Sequence, residues 1–154
     1  LNHATWSPNR FKDLIARLRS YLGGHKVTFP DRLDLSQATT FQRRAWEITR
    51  LIPYGETRSY AWVAGQMGQA GAARAVGQAL ARNPLPIIIP CHRVVTSDGR
   101  LGGYSGGVEM KNYLLNLEAS LALSATETPG TSVESSGECS NPLILRFKKS
   151  SWYF

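Results

Sequence analysis

Three consecutive isoleucines run into a proline, a cysteine, a histidine and an arginine, and then into two valines: Ile87-Ile88-Ile89-Pro90-Cys91-His92-Arg93-Val94-Val95. This stretch constrains the chain more than any other. The β-branched run reads as buried and extended. Pro90 must stop regular pairing, because it has no N–H and its φ is fixed. A thiol and an imidazole are thereby held side by side between two hydrophobic anchors, at the floor of a pocket. A free cysteine in an apolar run is more often a small core residue than a nucleophile. The adjacent His92 and the segments around it favour the nucleophile.

Other bulk properties narrow the field. A chain of 154 residues is one domain, or one with appendages. Its net charge of +7 suits a polyanionic partner, although charge alone would equally serve solubility. The two cysteines, Cys91 and Cys139, lie far apart in unlike surroundings, which is no disulfide framework and fits a reducing compartment. An intracellular location, in cytoplasm, nucleoid or nucleus, is expected, with no membrane span and no signal peptide. The chain begins at Leu1, as a fragment would.

Along the chain, Ser7-Pro8 reads as a helix start, with Phe11, Leu14, Ile15, Leu18 and Leu22 on one stripe and Gly23-Gly24 as its end. Arg10, Lys12, Arg17 and Arg19 fall mostly off that stripe and read as a solvated face. Residues 27–35 are extended and irregular around Pro30. A second helix starts at Thr39 or Thr40, where Thr39 and Gln42 make a capping box, and buries Phe41, Ala45, Ile48 and Ile52. A turn at Pro53–Glu56 precedes a short helix capped by Ser59, from Tyr60 to Met67. Gly68 and Gly71 then lead to a third helix over 72–81. Two short helices across a glycine-bearing turn form a helix-turn-helix pattern.

The third helix is nearly all small residues, with Arg74 and Gln78 as its long polar groups. Such a face permits close helix packing, and equally insertion into a narrow DNA groove, where inserted side chains unstack bases. Ser97-Asp98-Gly99-Arg100 reads as a hairpin turn. Gly102-Gly103-Tyr104-Ser105-Gly106-Gly107 is a loop whose backbone can approach a ligand closely, and it lacks the Lys-Ser or Lys-Thr of a phosphate loop. A last helix covers 108–119, with Met110, Leu114 and Leu117 on one face. Glu118 sits where the helix dipole disfavours a carboxylate, so a cationic or imidazole partner is expected. Residues 120–154 change character. Their Ser, Thr, Glu, Gly and Pro over 124–142 predict disorder, and Cys139 there is incidental. The divisions are therefore 1–38, an N-terminal helix and connector; 39–119, the functional domain; and 120–154, an atypical tail.

These motifs together resemble the O6-alkylguanine-DNA alkyltransferases. The resemblance runs from about Thr40 to Glu118, through Ile52-Pro53-Tyr54-Gly55-Glu56-Thr57, Ser59-Tyr60, Ala73-Arg74-Ala75-Val76-Gly77, Asn83-Pro84, the Pro90–Val94 segment and Tyr104-Ser105-Gly106-Gly107. The Pro8–Leu22 helix is similar to the segment joining that family's two halves. The family's N-terminal α/β half is otherwise largely missing. The implied fold is mainly α with a short β element, a winged-helix-like helix-turn-helix domain.

The resemblance implies a single-turnover DNA repair reaction with no cofactor and no metal. A monomer binds double-stranded DNA through the minor groove and flips out O6-alkylguanine, or O4-alkylthymine. Cys91 takes the alkyl group, His92 is the base acting through a water, and Glu118 orients His92. Tyr60 donates to the departing guanine and Asn83 braces the cysteine turn. Val94, Tyr104, Ser105 and Gly106 contact the base, while Arg74 fills the gap it leaves. Thr57, Ser59, Ala73 and Gln78 complete the DNA contacts. The chemistry agrees, since a thiol near its ordinary pKa needs a base and a base in a duplex is out of reach until extruded. Three rivals are weaker. A cysteine hydrolase does not usually place Cys and His adjacent and would turn over. A non-catalytic sensor of alkylated DNA would not need Cys91. A zinc site lacks ligand spacing, with His3 and His25 remote.

Overall fold

The computed structural model describes residues 11–124, and side chains as far as Ser120. The Ser7-Pro8 start, His3, Cys139 and the 125–154 part of the tail lie outside the described residues. The order is α1 (Lys12–Leu22), α2 (Thr40–Arg50), β1 (Arg58–Ser59), α3 (Tyr60–Gln66), α4 (Ala73–Ala81), a 3-10 turn (Cys91–Arg93), β2 (Val94–Val95) and α5 (Val108–Ser124). The described fold is mostly helical with one two-stranded sheet. No described helix is long and apolar enough to cross a membrane.

Local chemistry explains the helix starts. Thr39 accepts from the Gln42 N–H, and the Gln42 side chain accepts from the Thr39 N–H, closing the capping box over α2. The Ser59 hydroxyl accepts from the Trp62 N–H and starts α3 directly after β1. Gly68, at φ +73°, ends the helical turn.

The core is the junction of α2, α3 and α4 with the cysteine turn. Trp46, Ile52, Val63, Val76, Leu80, Ile89, Cys91 and Val94 form one buried cluster. The Trp46 indole donates to the Ala79 carbonyl at 2.9 Å and fixes α2 against α4. Helix α4 packs along one face only. Val76, Ala79 and Leu80 are packed, while Arg74, Ala75, Gln78 and Ala81 face outward.

Several expectations need correction. Ile87–Ile89 is not an extended buried run. It is a turn in which the Ile89 N–H donates to the Leu85 carbonyl, Ile87 takes φ +75°, and only Ile89 is buried. Asn83 drives this. Its amide oxygen accepts from the Leu85 N–H and its amide nitrogen donates to the Ile89 carbonyl, so the loop's backbone groups are satisfied internally. The Ser97–Arg100 turn forms, but no hairpin strand returns from it. β2 instead pairs parallel with β1, with Arg58 opposite Val94 and Ser59 opposite Val95.

The apolar stripe of α1 is largely uncovered among the described residues. Phe11, Ile15 and Leu22 are exposed, and Tyr21 is the buried residue of that helix. Arg17 is no solvated cation, because its guanidinium grips the Asp31 carboxylate at 2.6 and 2.8 Å and lies over the Phe29 ring. That clamp straps the irregular connector onto α1. On α5 the inward face is Lys111, Leu114, Leu115 and Glu118, while Met110 is exposed. The helix also runs on to Ser124, past Ala119.

Thr39→Ala should remove the side-chain half of the α2 cap and lower stability by about 1 kcal/mol. Urea unfolding followed by circular dichroism measures this.

Candidate active site

The parallel pairing of β1 and β2 brings the N-terminus of α3 beside the cysteine turn, and α5 packs across that turn. Cys91, His92 and Arg93 are buried on it. Adjacent residues on one tight turn point in different directions, so the thiol faces Asn83 and the imidazole faces α5. The Asn83 amide donates to the Cys91 sulfur at 3.0 Å. The same amide holds the Ile89 carbonyl, and thus both sides of Pro90.

Behind the turn, Glu118 is a buried carboxylate with a full set of donors. Oε1 accepts from the Tyr21 hydroxyl at 2.7 Å and Arg93 Nη2 at 2.9 Å, and lies 2.8 Å from His92 Nε2. Oε2 accepts from Arg93 Nε and from the Gly55 N–H, both at 2.9 Å. Arg93 also donates to the Ile52 carbonyl at 2.7 Å. Burial alone would raise the Glu118 pKa. The His92 and Arg93 hydrogen bonds and the Arg93 charge outweigh it and bring the pKa down to about 2. The helix-end argument that marked Glu118 misplaced it, since α5 continues beyond it, but the inferred cationic and imidazole partners are both present.

An ionised Glu118 favours the proton on His92 Nε2, the ring nitrogen beside it. His92 Nδ1 is then the lone-pair nitrogen, buried without a hydrogen-bond partner in the protein. Burial lowers the His92 pKa, against the pull of Glu118, so the ring is neutral and able to accept a proton. Burial raises the Cys91 pKa, opposed by the Asn83 amide, the Lys111 charge and the Tyr104 hydroxyl. The resting thiol is therefore protonated, and a base is required to make it a nucleophile.

A groove of about 600 Å³ bounded by α3, α4, the 96–97 turn and the glycine loop lies beside Tyr60 and Tyr104, whose phenols neighbour Cys91; the thiol itself is buried and does not line it. Tyr60, Arg74, Ala73, Gln78, Tyr104 and Ser105 all line it. Burial raises the Tyr60 pKa, and its hydroxyl donates to the Gly103 carbonyl at 3.3 Å. Gly102, at φ +66°, lets the loop pass so close that a Cβ there would stand 3.1 Å from the Tyr60 hydroxyl. Tyr104 is pushed up to about 12 by burial and the nearby Cys91. Ser105 and Gly106 are exposed at the loop tip. Arg74 is exposed on the outer face of α4.

Thr57 precedes β1, and Ser59 is its last residue and serves as the α3 cap. Val94 is fully buried, and its carbonyl accepts from Lys111. Among the described residues no three His, Cys, Asp or Glu side chains cluster as metal ligands.

Three contributors escaped sequence reasoning. Arg93 sat inside the motif without a role. Tyr21 was left off the apolar stripe of α1, although it stands three residues after Leu18 and seven after Leu14. Lys111 is completely buried, donating to the Val94 and Leu101 carbonyls and to the Tyr60 hydroxyl at 3.4 Å, and burial lowers its pKa to about 8. The spacing Lys111, Leu114, Leu115, Glu118 is a complete i, i+3, i+4, i+7 face, and that period was available to mark Lys111 as inward.

Comparison with known proteins settles the lineage. Residues 40–120 match the family model for the 6-O-methylguanine DNA methyltransferase DNA-binding domain. The chain belongs to this family. A methylated-DNA–protein-cysteine methyltransferase of Mycobacterium tuberculosis H37Rv is 48% identical over 120 residues, covering 78% of this chain and 72% of the relative. The constitutive enzyme of that name from Bacillus subtilis is 49% identical over 104 residues, covering 66% and 62%. The crystal structure of the M. tuberculosis OGT in complex with DNA superposes with a TM-score of 0.71 at 48% identity, over 77% of this chain and 73% of that one. The O6-methylguanine-DNA methyltransferase of Pyrococcus kodakaraensis matches at 0.60 and 32% identity, over 75% and 67%. Within the methyltransferase family, then, the Cys91 turn and the Glu118 cluster of this chain lie in the matched region, whereas Tyr21 precedes residues 40–120.

The Glu118 pKa has a stability consequence. A carboxylate depressed on folding contributes stability above its ordinary value of 4.5, and this is lost as pH falls toward about 2. Glu118→Gln should lower stability at pH 7 by about 3 kcal/mol, because Arg93 is left buried without its counter-charge. It should also flatten the acid limb of stability in that window. Urea titrations across pH 2–7 on both proteins test this, and parallel acid limbs would refute it.

Proposed function

We infer that this chain is a DNA repair methyltransferase that transfers an alkyl group from O6-alkylguanine, and from O4-alkylthymine, in duplex DNA to Cys91. Its membership of the methyltransferase family supports the reaction class. The observation that carries the residue assignment is the buried set Cys91, His92 and Glu118. It has a protonated thiol, a neutral imidazole with one unpartnered nitrogen, and an ionised carboxylate behind it.

In this reading His92 Nδ1 takes the thiol proton through an intervening water. Glu118 stabilises the resulting imidazolium. The sulfur attacks the alkyl carbon in line, an S–C bond forms, and the bond from that carbon to O6 breaks. The departing guanine receives a proton from Tyr60, and Tyr60 regains one through solvent as His92 releases the proton it took from the thiol. The sum is a thiol exchanged for a thioether and an alkylguanine exchanged for guanine. Thioethers resist water, so each molecule acts once. Asn83 holds the thiol in place, and Tyr104, Ser105, Gly106 and the backbone near Val94 enclose the base.

The target atom is unreachable in stacked DNA, so the base must leave the duplex at a cost of a few kcal/mol. We place the minor groove against α4. Arg74 enters the space vacated by the base, with Ala73, Gln78, Thr57 and Ser59 beside it. The small residues of α4 allow the backbones to meet closely, and the +7 net charge supplies sequence-independent affinity. The protein acts as a monomer.

Two outcomes follow. Incubation with DNA containing O6-methylguanine should add one methyl mass, mapped to Cys91, and Cys91→Ser should abolish it while retaining DNA affinity. Mass on Cys139 instead would overturn the assignment. Arg74→Ala should slow repair of duplex DNA by at least tenfold yet hardly change reaction with free O6-benzylguanine, which needs no extrusion. Equal losses on both substrates would show that Arg74 supports the pocket and not the extruded state.

A further inference from the structure

Glu118 Oε1 is shared. The Tyr21 hydroxyl reaches it at 2.7 Å, and the same hydroxyl oxygen lies 3.2 Å from His92 Nε2. A phenol has one proton. At 2.7 Å from an ionised carboxylate, that proton belongs between the phenol and Oε1. The tyrosine oxygen therefore turns a lone pair toward His92 Nε2. Nε2 then faces two acceptors, Oε1 and the tyrosine oxygen, and no donor. The proton of a neutral His92 is thereby confined to Nε2, and Nδ1 is left as the ring's acceptor.

We propose that Tyr21 is a positioning residue for the alkyl transfer, selecting the His92 tautomer that can accept the Cys91 proton. It acts through His92 and Glu118 and touches no reacting atom. The inference rests on the transfer mechanism given above. Of the groups that donate to Glu118 among the described residues, Tyr21 alone lies outside residues 40–120. It makes α1 a contributor to the chemistry. The tyrosine is well placed for this. It is completely buried, and its ring meets Phe29 and Tyr54 edge-on at 6.1 and 5.9 Å between centroids. Its hydroxyl thus has little freedom to look elsewhere. Arg93 does not duplicate the role, because a guanidinium only donates and offers Nε2 no acceptor.

The test is Tyr21→Phe, which keeps the ring packing and deletes the hydroxyl. Histidine-labelled protein is examined by nitrogen-15 NMR at neutral pH, with the His92 signals assigned by their loss in His92→Asn. Wild-type His92 should show a protonated Nε2 and an unprotonated Nδ1. In Tyr21→Phe the two nitrogen shifts should move toward each other as the second tautomer is populated. Transfer from both duplex and free O6-benzylguanine should slow by about tenfold, the scale of one charge-assisted hydrogen bond. A slower variant with an unaltered His92 spectrum would make Tyr21 merely structural and overturn the proposal. So would wild-type rates in the variant. Should the variant not fold, fluorotyrosine at position 21, which weakens the hydroxyl as an acceptor, should bring the two shifts closer; a protonated Nδ1 in the wild type, or unmoved shifts in the fluorinated protein, overturns the proposal. Absence of any transferred mass in the wild type would instead sink the mechanism, and the variant's spectrum would continue to report on the tautomer by itself.

Discussion

A single buried carboxylate holds this molecule's chemistry in place. Glu118 on α5 receives donors from α1, from the turn at Gly55, and from two consecutive residues of the cysteine turn. Taking a carboxylate out of water is costly, and the cost is recovered only when every lone pair is satisfied. Here the donors include a guanidinium, a phenol, an imidazole and a backbone amide. Four segments that share no secondary structure are consequently fixed to one point. His92 inherits its orientation from that arrangement, and in the proposed transfer His92 is the base for the thiol.

The opposite side of the cysteine turn is built on another principle. There the determinant is closeness of backbones. Gly102 brings the loop against Tyr60, and the small residues of α4 leave a shallow outer face beside the groove. Lys111 ties this side together. From the first turns of α5 its ammonium reaches the Val94 and Leu101 carbonyls and the Tyr60 hydroxyl. The same helix therefore carries Lys111 under the groove and Glu118 behind the imidazole, two turns apart on one face. One rigid rod sets the spacing between the two halves of the site.

Much of this could be read from the sequence because it rests on local rules. The Thr39 capping box, the Ser59 cap, the glycine stop at Gly68 and the helix-turn-helix spacing depend on neighbours a few residues away. What was missed depends on distant partners. The three isoleucines looked like a strand by composition, but the Asn83 side chain claims the backbone groups a strand would need. Arg17 looked solvated until Asp31 came round to meet it. Lys111 was left unmarked, although its helical phase matched Leu114 and Glu118. The role of Tyr21 had no local signature, because its partner lies 97 positions on. The sequence motifs around Cys91 were strong enough to point to the family, while the roles of Arg93 and Tyr21 emerge only from three-dimensional contacts.

That separation of 97 residues also bears on how the protein comes into being. Contacts between remote parts of a chain form late, after the entropy of closing the intervening loop has been overcome. During synthesis, Cys91 and His92 leave the ribosome before α5 exists. Until Glu118 arrives, 26 positions after His92, nothing anchors the imidazole and nothing neutralises Arg93. A nascent or partly folded chain thus carries Cys91 without its proposed base. In the proposed mechanism, competence requires that both ends of the described fold have docked. A protein spent in one reaction would then leave its unfinished copies unused.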